Sequence, residues 1–283
     1  MPRVDQSVYV RKGAQSIPPG HVLAPGGYRH ASLIHAVPEG HHVRRRKGQV
    51  QLVHRTTRRI VSRYKWVSDE EPIPDIGSGW VTYVWWLNNS GSPISQLSTE
   101  WIVPPPPTMQ SSQTVFLFNA LEDAQNNDLV QPVLQWGISH AGGGPYWAIS
   151  NWYVDTTGHV SFSRLVQVQP GDILTGIISM NKQNGSVFSY VSSFLGYPEL
   201  DMHVDGVTEL IWASQTLEAY QIGDCSEYPN TPTTSMSSIS IAAGGAAPAV
   251  MWLIKNVSTD CGESSFVVNA GNPGGQIDIS YRS

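Results

Sequence analysis

Charge is scarce in this chain. Asp, Glu, Lys and Arg make up 14% of its 283 residues, against ~25% in an average globular protein. No run of about 18 apolar residues occurs, which excludes a transmembrane helix. Only two cysteines are present, Cys225 and Cys261. That excludes a disulfide-dense scaffold and leaves room for one disulfide in an oxidising compartment. No histidine follows Cys225 closely, so the sequence offers no thiol–imidazole pair. The Gly-x-Ser-x-Gly elbow, the His-Glu-x-x-His zinc motif and the phosphate-binding Gly-Lys-Ser/Thr loop are all missing. Beyond residue 65 the histidines are His140, His159 and His203, at spacings that fit no metal site. No metal and no cofactor are expected. "HAGGGPY" lacks a Lys and opens no helix, so it reads as a hairpin loop and not a phosphate cradle. There is no amphipathic helix of useful length, no fixed-period repeat, and no apolar leader at the N-terminus.

Aromatic and turn-forming residues are plentiful instead: 10 Trp, 26 Gly and 20 Pro. From Trp80 onward, short aromatic and β-branched runs alternate with turns. They include "GWVTYVWWLN", "LSTEWIVPPPP", "TVFLFNALE", "LVQPVLQWG", "YWAISNWYVD", "DILTGIISM" and "ELIWASQTLEAY". A dozen such segments predict an all-β protein, a two-sheet antiparallel β-sandwich of jelly-roll type.

The net charge of −5 hides a split. Residues 1–65 hold 13 of the 17 Lys and Arg and only two acids, a net +11, while residues 66–283 hold four bases and 20 acids, a net −16. Six of the nine histidines, His21, His30, His35, His41, His42 and His54, lie in the basic part. Residues 1–48 read as irregular, with "SIPPGHVLAPGGY" as Pro/Gly punctuation and "GHHVRRRKG" as an exposed charged run. Residues 49–67 read as a strand that pairs against something acidic. The chain therefore divides into a basic N-terminal segment, 1–67, an acidic Pro-containing linker, 68–79, and a β-sandwich, 80–283. The basic segment reads as a propeptide that docks on the acidic body. A nucleic-acid partner is disfavoured, because a −16 body repels phosphates; a membrane partner is not expected, and a monomer is. With histidine near ~6.5 and carboxylates near ~4, the attraction is expected to peak between those values and to fade in stronger acid.

Two strands carry the chemistry. In "LVQPVLQWG", Leu129 to Gly137, side chains alternate, so Gln131, Val133 and Gln135 share one face and Val130, Leu134 and Trp136 the other. In "ASQTLEAY", Ala213 to Tyr220, Glu218 shares a face with Ser214, Thr216 and Tyr220, while Leu217 and Ala219 face the core. A carboxylate can take a proton from water attacking a carbonyl and return it to the leaving nitrogen. An amide NH₂ can donate to the developing oxyanion.

In order and spacing, "GWVTYVWW", "TEWIVPP", "VLQWG", "YWAISNWYVD", "VQPGDILTGII" and "TLEAY" resemble the glutamic peptidases of the eqolisin family, secreted fungal acid endopeptidases. The corresponding family segments are a Trp-bearing strand, a Pro-ended strand, a Leu-Gln-Thr-Gly strand, an aromatic strand, a Gly-Asp strand and a late strand ending in Glu-Asp-Phe. The resemblance covers residues 80–283. It implies a concanavalin-like jelly roll and an acid endopeptidase acting on protein or peptide, made as a zymogen. Gln135 would be the catalytic amide and Glu218 the catalytic acid/base, 83 positions later. The resemblance also implies that Trp80, Phe118, Glu122, Trp147, Trp152 and Tyr220 line the substrate site. Phe118 and Glu122 in "FNALE" stand where the family has Trp and Asp. Trp147 and Asn151 stand where it has acids, so the lining is less acidic. Two other readings stay open: a carbohydrate-binding sandwich whose Trp80, Trp86, Trp147 and Trp152 stack on sugars, and a glycosidase with Glu122 and Glu218 ~5–9.5 Å apart.

Overall fold

The structure, a computed structural model, describes residues 17–46, 48–65, 79–125, 128–155 and 158–281. The chain is an all-β sandwich. From edge to edge the first sheet runs β19 (Leu253–Asn256), β7 (Trp80–Leu87), β17 (Leu210–Tyr220), β9 (Thr114–Asp123), β10 (Leu129–Ser139), β11 (Gly142–Val154), β12 (Val160–Phe162) and β3 (Ile34–Ala36), with β13 (Val166–Gln167) paired to β11. The second runs β20 (Ser264–Asn269), β21 (Gly275–Ser280), β18 (Thr233–Ala243), β8 (Ile94–Ile102), β14 (Ile173–Asn184), β15 (Val187–Phe194), β16 (Met202–Val207), β4 (His41–Arg45), β5 (Gln49–His54) and β6 (Ile60–Lys65). A separate hairpin is made by β1 (His21–Ala24) and β2 (Gly27–His30). No helix among the described residues is long and apolar enough to cross a membrane.

Period-2 alternation builds the interior. Val115, Leu117 and Leu121 of β9, Val130, Leu134 and Trp136 of β10, and Leu217 and Ala219 of β17 join Leu97, Trp101, Leu174, Ile178 and Tyr190 of the facing sheet in one buried cluster. The opposite side chains of the first sheet form a second cluster, with Phe116, Phe118, Val133, Trp152 and Tyr220 packed against Leu23, Ala24, Tyr28 and Ile34. The N-terminal segment therefore covers the outer face of the first sheet. Cys225 and Cys261 form a disulfide, with Cα atoms 5.4 Å apart, which fits an oxidising compartment.

Two expectations need correction. Residues 17–46 are not irregular: they supply four short strands. The run "HHVRR" is β4, with His42 and Val43 buried, and it is not an exposed tract. Strands of three to five residues leave no readable period, and here the body supplies their pairing and burial. The segment from Gln49 folds as the β5–β6 hairpin, and its first partner is β4 of the same N-terminal segment, not an acidic strand. The body's described pairings are antiparallel, as expected of the sandwich, and the N-terminal segment adds two parallel ones, β3 to β12 and β4 to β16. Both parallel pairs join the N-terminal segment to an edge strand of the body, which removes an exposed edge from each sheet. The linker, 68–79, lies outside the described residues except for Gly79.

Candidate active site

Gln135 and Glu218 lie on the same face of the first sheet. Each pairs with Phe116 of the strand between them, Gln135 from β10 and Glu218 from β17. Antiparallel partners point to the same side. The two side chains thus flank Phe116, with Cα atoms about 10 Å apart, two strand spacings. The glycosidase pairing is not met. Glu122 shares this face but lies six residues along β9 from Phe116, roughly 20 Å away at the rise of a strand. Its carboxyl is pushed up by burial and by neighbouring Asp123.

Glu218 is fully buried. Its Oε1 accepts hydrogen bonds from the Gly26 amide at 2.8 Å and from the Tyr220 hydroxyl, and the Tyr220 oxygen in turn accepts from the Gly79 amide at 3.1 Å. Oε2 has no partner among the described residues. Burial pushes the Glu218 carboxyl up to about 7, against the opposing hydrogen bonds from Tyr220 and Gly26 and the positive charge of Arg29. The Gly26 donor has a local cause. Ala24 pairs with Gly27 across a two-residue turn, Pro25-Gly26. Proline presets the first turn position and glycine takes the second with φ +84°, as a type II turn requires. That turn puts a backbone N–H at the tip of the hairpin, on the carboxylate. Beside it Tyr28 packs edge-on to Tyr220 at 5.7 Å and its hydroxyl accepts from the Gln221 amide.

The Gln135 amide is held on both sides. Its Nε2 donates to the carbonyls of Gly137 at 2.8 Å and Gly142 at 3.0 Å, and its Oε1 accepts from Ser139 Oγ at 2.8 Å. Glycine permits this closeness: a Cβ on Gly143 would sit 2.5 Å from Gln135 Nε2 and 2.2 Å from the Gly137 carbonyl oxygen. "HAGGGPY" is thus the tight β10–β11 hairpin that shapes the Gln135 site. Both amide hydrogens are committed in this covered state, so donation to an oxyanion requires one of those carbonyls to be given up.

The proposed lining divides. Trp80, Phe118, Trp152 and Tyr220 belong to the covered face, and Trp80 lies edge-on to Phe118 at 5.8 Å. Trp147 does not. It is buried between the sheets against Trp136, with ring centroids 5.4 Å apart. Ala148 is the residue that pairs with Gln135, so Trp147, one position earlier, must point inward. Trp86 also lies in the inner core. The roles of Gly26, Tyr28, Arg29 and Ser139 were missed in the sequence, although "LAPGGY" carries the Pro-Gly turn signal.

Gln131 lies on this face too, opposite Trp152. It is wholly buried, and neither its amide oxygen nor its nitrogen has a partner among the described residues; nor has the Trp152 indole nitrogen. An unpaired buried amide costs about 1–3 kcal/mol. Gln131→Met keeps the shape and removes the polar atoms. It is expected to stabilise the full chain by about 1–2 kcal/mol, read as a higher urea midpoint with an unchanged slope; a lower midpoint would mean that the amide is satisfied.

Glu218 also sets a pH dependence. Its folded value lies above its ordinary value, so the folded protein holds this proton more tightly than the unfolded chain. The resulting stability is complete below about 4.5 and is lost as pH rises through about 7, on the order of 3 kcal/mol in all. Urea midpoints measured from pH 4.5 to 8 are expected to fall along this range, with the slope of the decline reduced in Glu218→Gln. A decline that is identical in the variant would remove Glu218 as its source.

No protein-family model matches the chain, and no curated protein does. Among solved structures, a Scytalido-glutamic peptidase bound to a peptide-based transition-state analogue is similar over 72% of this chain and 98% of its own, at 14% identity and TM-score 0.46. SCP-B, a member of the eqolisin family of peptidases in complex with the tripeptide Ala-Ile-His, is similar over the same shares at 14% identity and TM-score 0.45. CG-16, a homodimeric agglutinin from chicken liver, covers 57% of this chain and 99% of its own at 10% identity and TM-score 0.30.

Proposed function

We propose that this protein is a secreted acid endopeptidase of glutamic type, made as a zymogen. One observation carries the reading. A fully buried carboxylate, Glu218, shares a sheet face and a register position with the amide of Gln135, and a backbone N–H from the N-terminal hairpin sits on that carboxylate. A bound peptide also presents backbone N–H groups, so the hairpin occupies the place that substrate would take. In the open enzyme, Glu218 would accept a proton from the attacking water and pass it to the leaving nitrogen. Gln135 would donate to the oxyanion, a contribution of roughly 2.7–4 kcal/mol for one such donor.

The N-terminal segment supports the propeptide role by what it touches. Besides Gly26 on Glu218, Arg45 pairs with buried Asp128, and His42 Nε2 lies 3.2 Å from Asp205. The test is incubation of the purified chain with a denatured protein between pH 2 and 7, read by mass spectrometry. New termini in acid support the proposal. The aromatic side chains on the covered face, Trp80, Phe118, Trp152 and Tyr220, keep a carbohydrate-binding reading as the rival outcome: glycan binding by a chain that cuts no protein.

A further inference from the structure

Away from the Glu218 face, the seam between the N-terminal segment and the body forms a half-open cavity of about 620 Å³. The N-terminal segment lines it with Gly40, His42, Arg55, Thr56 and Arg58. The body adds Asn181, Lys182, Ser189, His203 and Asp205. Its charges are unbalanced. Three fixed cations, Arg55, Arg58 and Lys182, face one acid, Asp205, which already pairs with His42. None of the three cations forms an ion pair among the described residues. Arg55 does act at longer range on Asp201.

Charge complementarity alone does not account for this composition. The body offers 20 acids and only four bases, Arg164, Lys182, Lys255 and Arg282. One of those four, Lys182, lines the same cavity as two arginines of the basic segment, where an acid would be expected. Arg58 is held at φ +59°, a left-handed conformation that non-glycine residues seldom adopt. His203 is held low, at about 4, by burial and by Arg55, against the pull of Asp205. The field in the cavity is therefore positive even with Asp205 present.

We infer that this cavity is a binding site for a polyvalent oxyanion of the phosphate class, held jointly by Arg55 and Arg58 of the N-terminal segment and Lys182 of the body. Guanidinium forks match tetrahedral oxyanions, and the lysine adds a point charge. Thr56 of the N-terminal segment and Asn181 of the body add neutral hydrogen-bonding groups to the lining. The volume exceeds the needs of one phosphate and suits pyrophosphate or a phosphate ester. Because the ligands come from both sides of the seam, an occupied site ties the segment to the body and stabilises the covered state by mass action. The inference does not rest on the peptidase reading, and its test needs no catalysis.

The test is calorimetric titration of the full chain at neutral pH with pyrophosphate, in about 0.1 M NaCl to screen non-specific attraction. One site with Kd at or below about 1 mM is expected. Arg55→Ala and Lys182→Glu are each expected to weaken it about tenfold or more, and Arg58→Ala likewise. Lys255→Glu, which makes the same charge change on the far edge of the other sheet, is expected to leave it unchanged. Absence of binding up to about 10 mM overturns the inference. So does binding that survives all three cavity variants, or that falls equally with Lys255→Glu, because the attraction would then come from elsewhere or from net charge alone.

Discussion

Glu218→Gln is expected to reduce peptide hydrolysis in acid by about 10²–10⁴-fold, the contribution of a positioned general acid/base. Gln135→Ala is expected to cost about 10²–10³-fold, as for loss of one oxyanion donor. Neither change should unfold the protein. Both side chains leave their strands on the face opposite the inner core, where Leu134, Trp136, Leu217 and Ala219 carry the packing. Glutamine at position 218 can still accept from the Gly26 amide and the Tyr220 hydroxyl, and it removes a carboxyl whose ionisation is opposed by burial. The measurement is initial rate on a denatured protein, with thermal unfolding as the control. Near-normal activity in either variant would defeat the dyad. A parent chain that cuts nothing but binds glycans would establish the carbohydrate reading instead.

The second large effect is latency. The full chain is expected to be inactive at pH 7 and to shorten itself in acid, fastest near pH 3, with cleavage near "VRRRKG" or in the 68–79 linker. The structure changes the reason. Charge counting expected the arm's histidines to gain charge against an acidic surface. Instead, His35 of β3 faces His159 of the body, with Nε2 and Nδ1 2.8 Å apart. Tyr64 of β6 stacks on His35 at 3.5 Å, and His140 also acts on His35 electrostatically.

Two adjacent imidazoles share a hydrogen bond only while at least one is neutral. His35 is accordingly held down at about 4, by burial first and then by His159 and His140. Its stabilising effect is present above the ordinary histidine value of about 6.5 and is lost as pH falls through about 4. His203, also at about 4, behaves in the same sense beside Arg55 and His42. Glu218 acts in the opposite direction, since its burial costs least when it is protonated, so release requires the histidine seam to prevail. His35→Gln keeps a hydrogen bond to His159 but cannot charge. It is expected to slow self-cleavage at pH 4 by about tenfold, one unit on a logarithmic pH scale. Chain length of the parent and of His35→Gln, followed against time at pH 3, 4, 5 and 7, checks both statements. Cleavage fastest at pH 7, or undiminished in Glu218→Gln, would show that the arm is not removed by this site in acid.

The strand alternation was legible because it is local. Period 2 alone sets Gln135 opposite Leu134 and Trp136, and Glu218 opposite Leu217 and Ala219, as the two clusters bear out. The same rule held a warning. Trp147 and Trp152 are five positions apart and so cannot share a face, yet the family resemblance placed both in the substrate site. The turn at Pro25-Gly26 was legible as a turn but not as a lid, because a type II turn carries no information about what its N–H will meet.

By itself the sequence determined an all-β sandwich, a basic segment joined to an acidic body, and the faces on which one amide and one carboxylate would stand. These follow from composition and from a two-residue period. Only the tertiary structure decided that β9 lies between β10 and β17, which brings Gln135 and Glu218 to either side of Phe116. It alone decided that the basic segment completes both sheets and seals the Glu218 face, and that His35 meets His159 and not an acid. Each of those facts is a pairing between residues tens to hundreds of positions apart. Such pairings are fixed by register and by the burial that two distant segments give each other, and neither quantity is written in any local stretch of the chain.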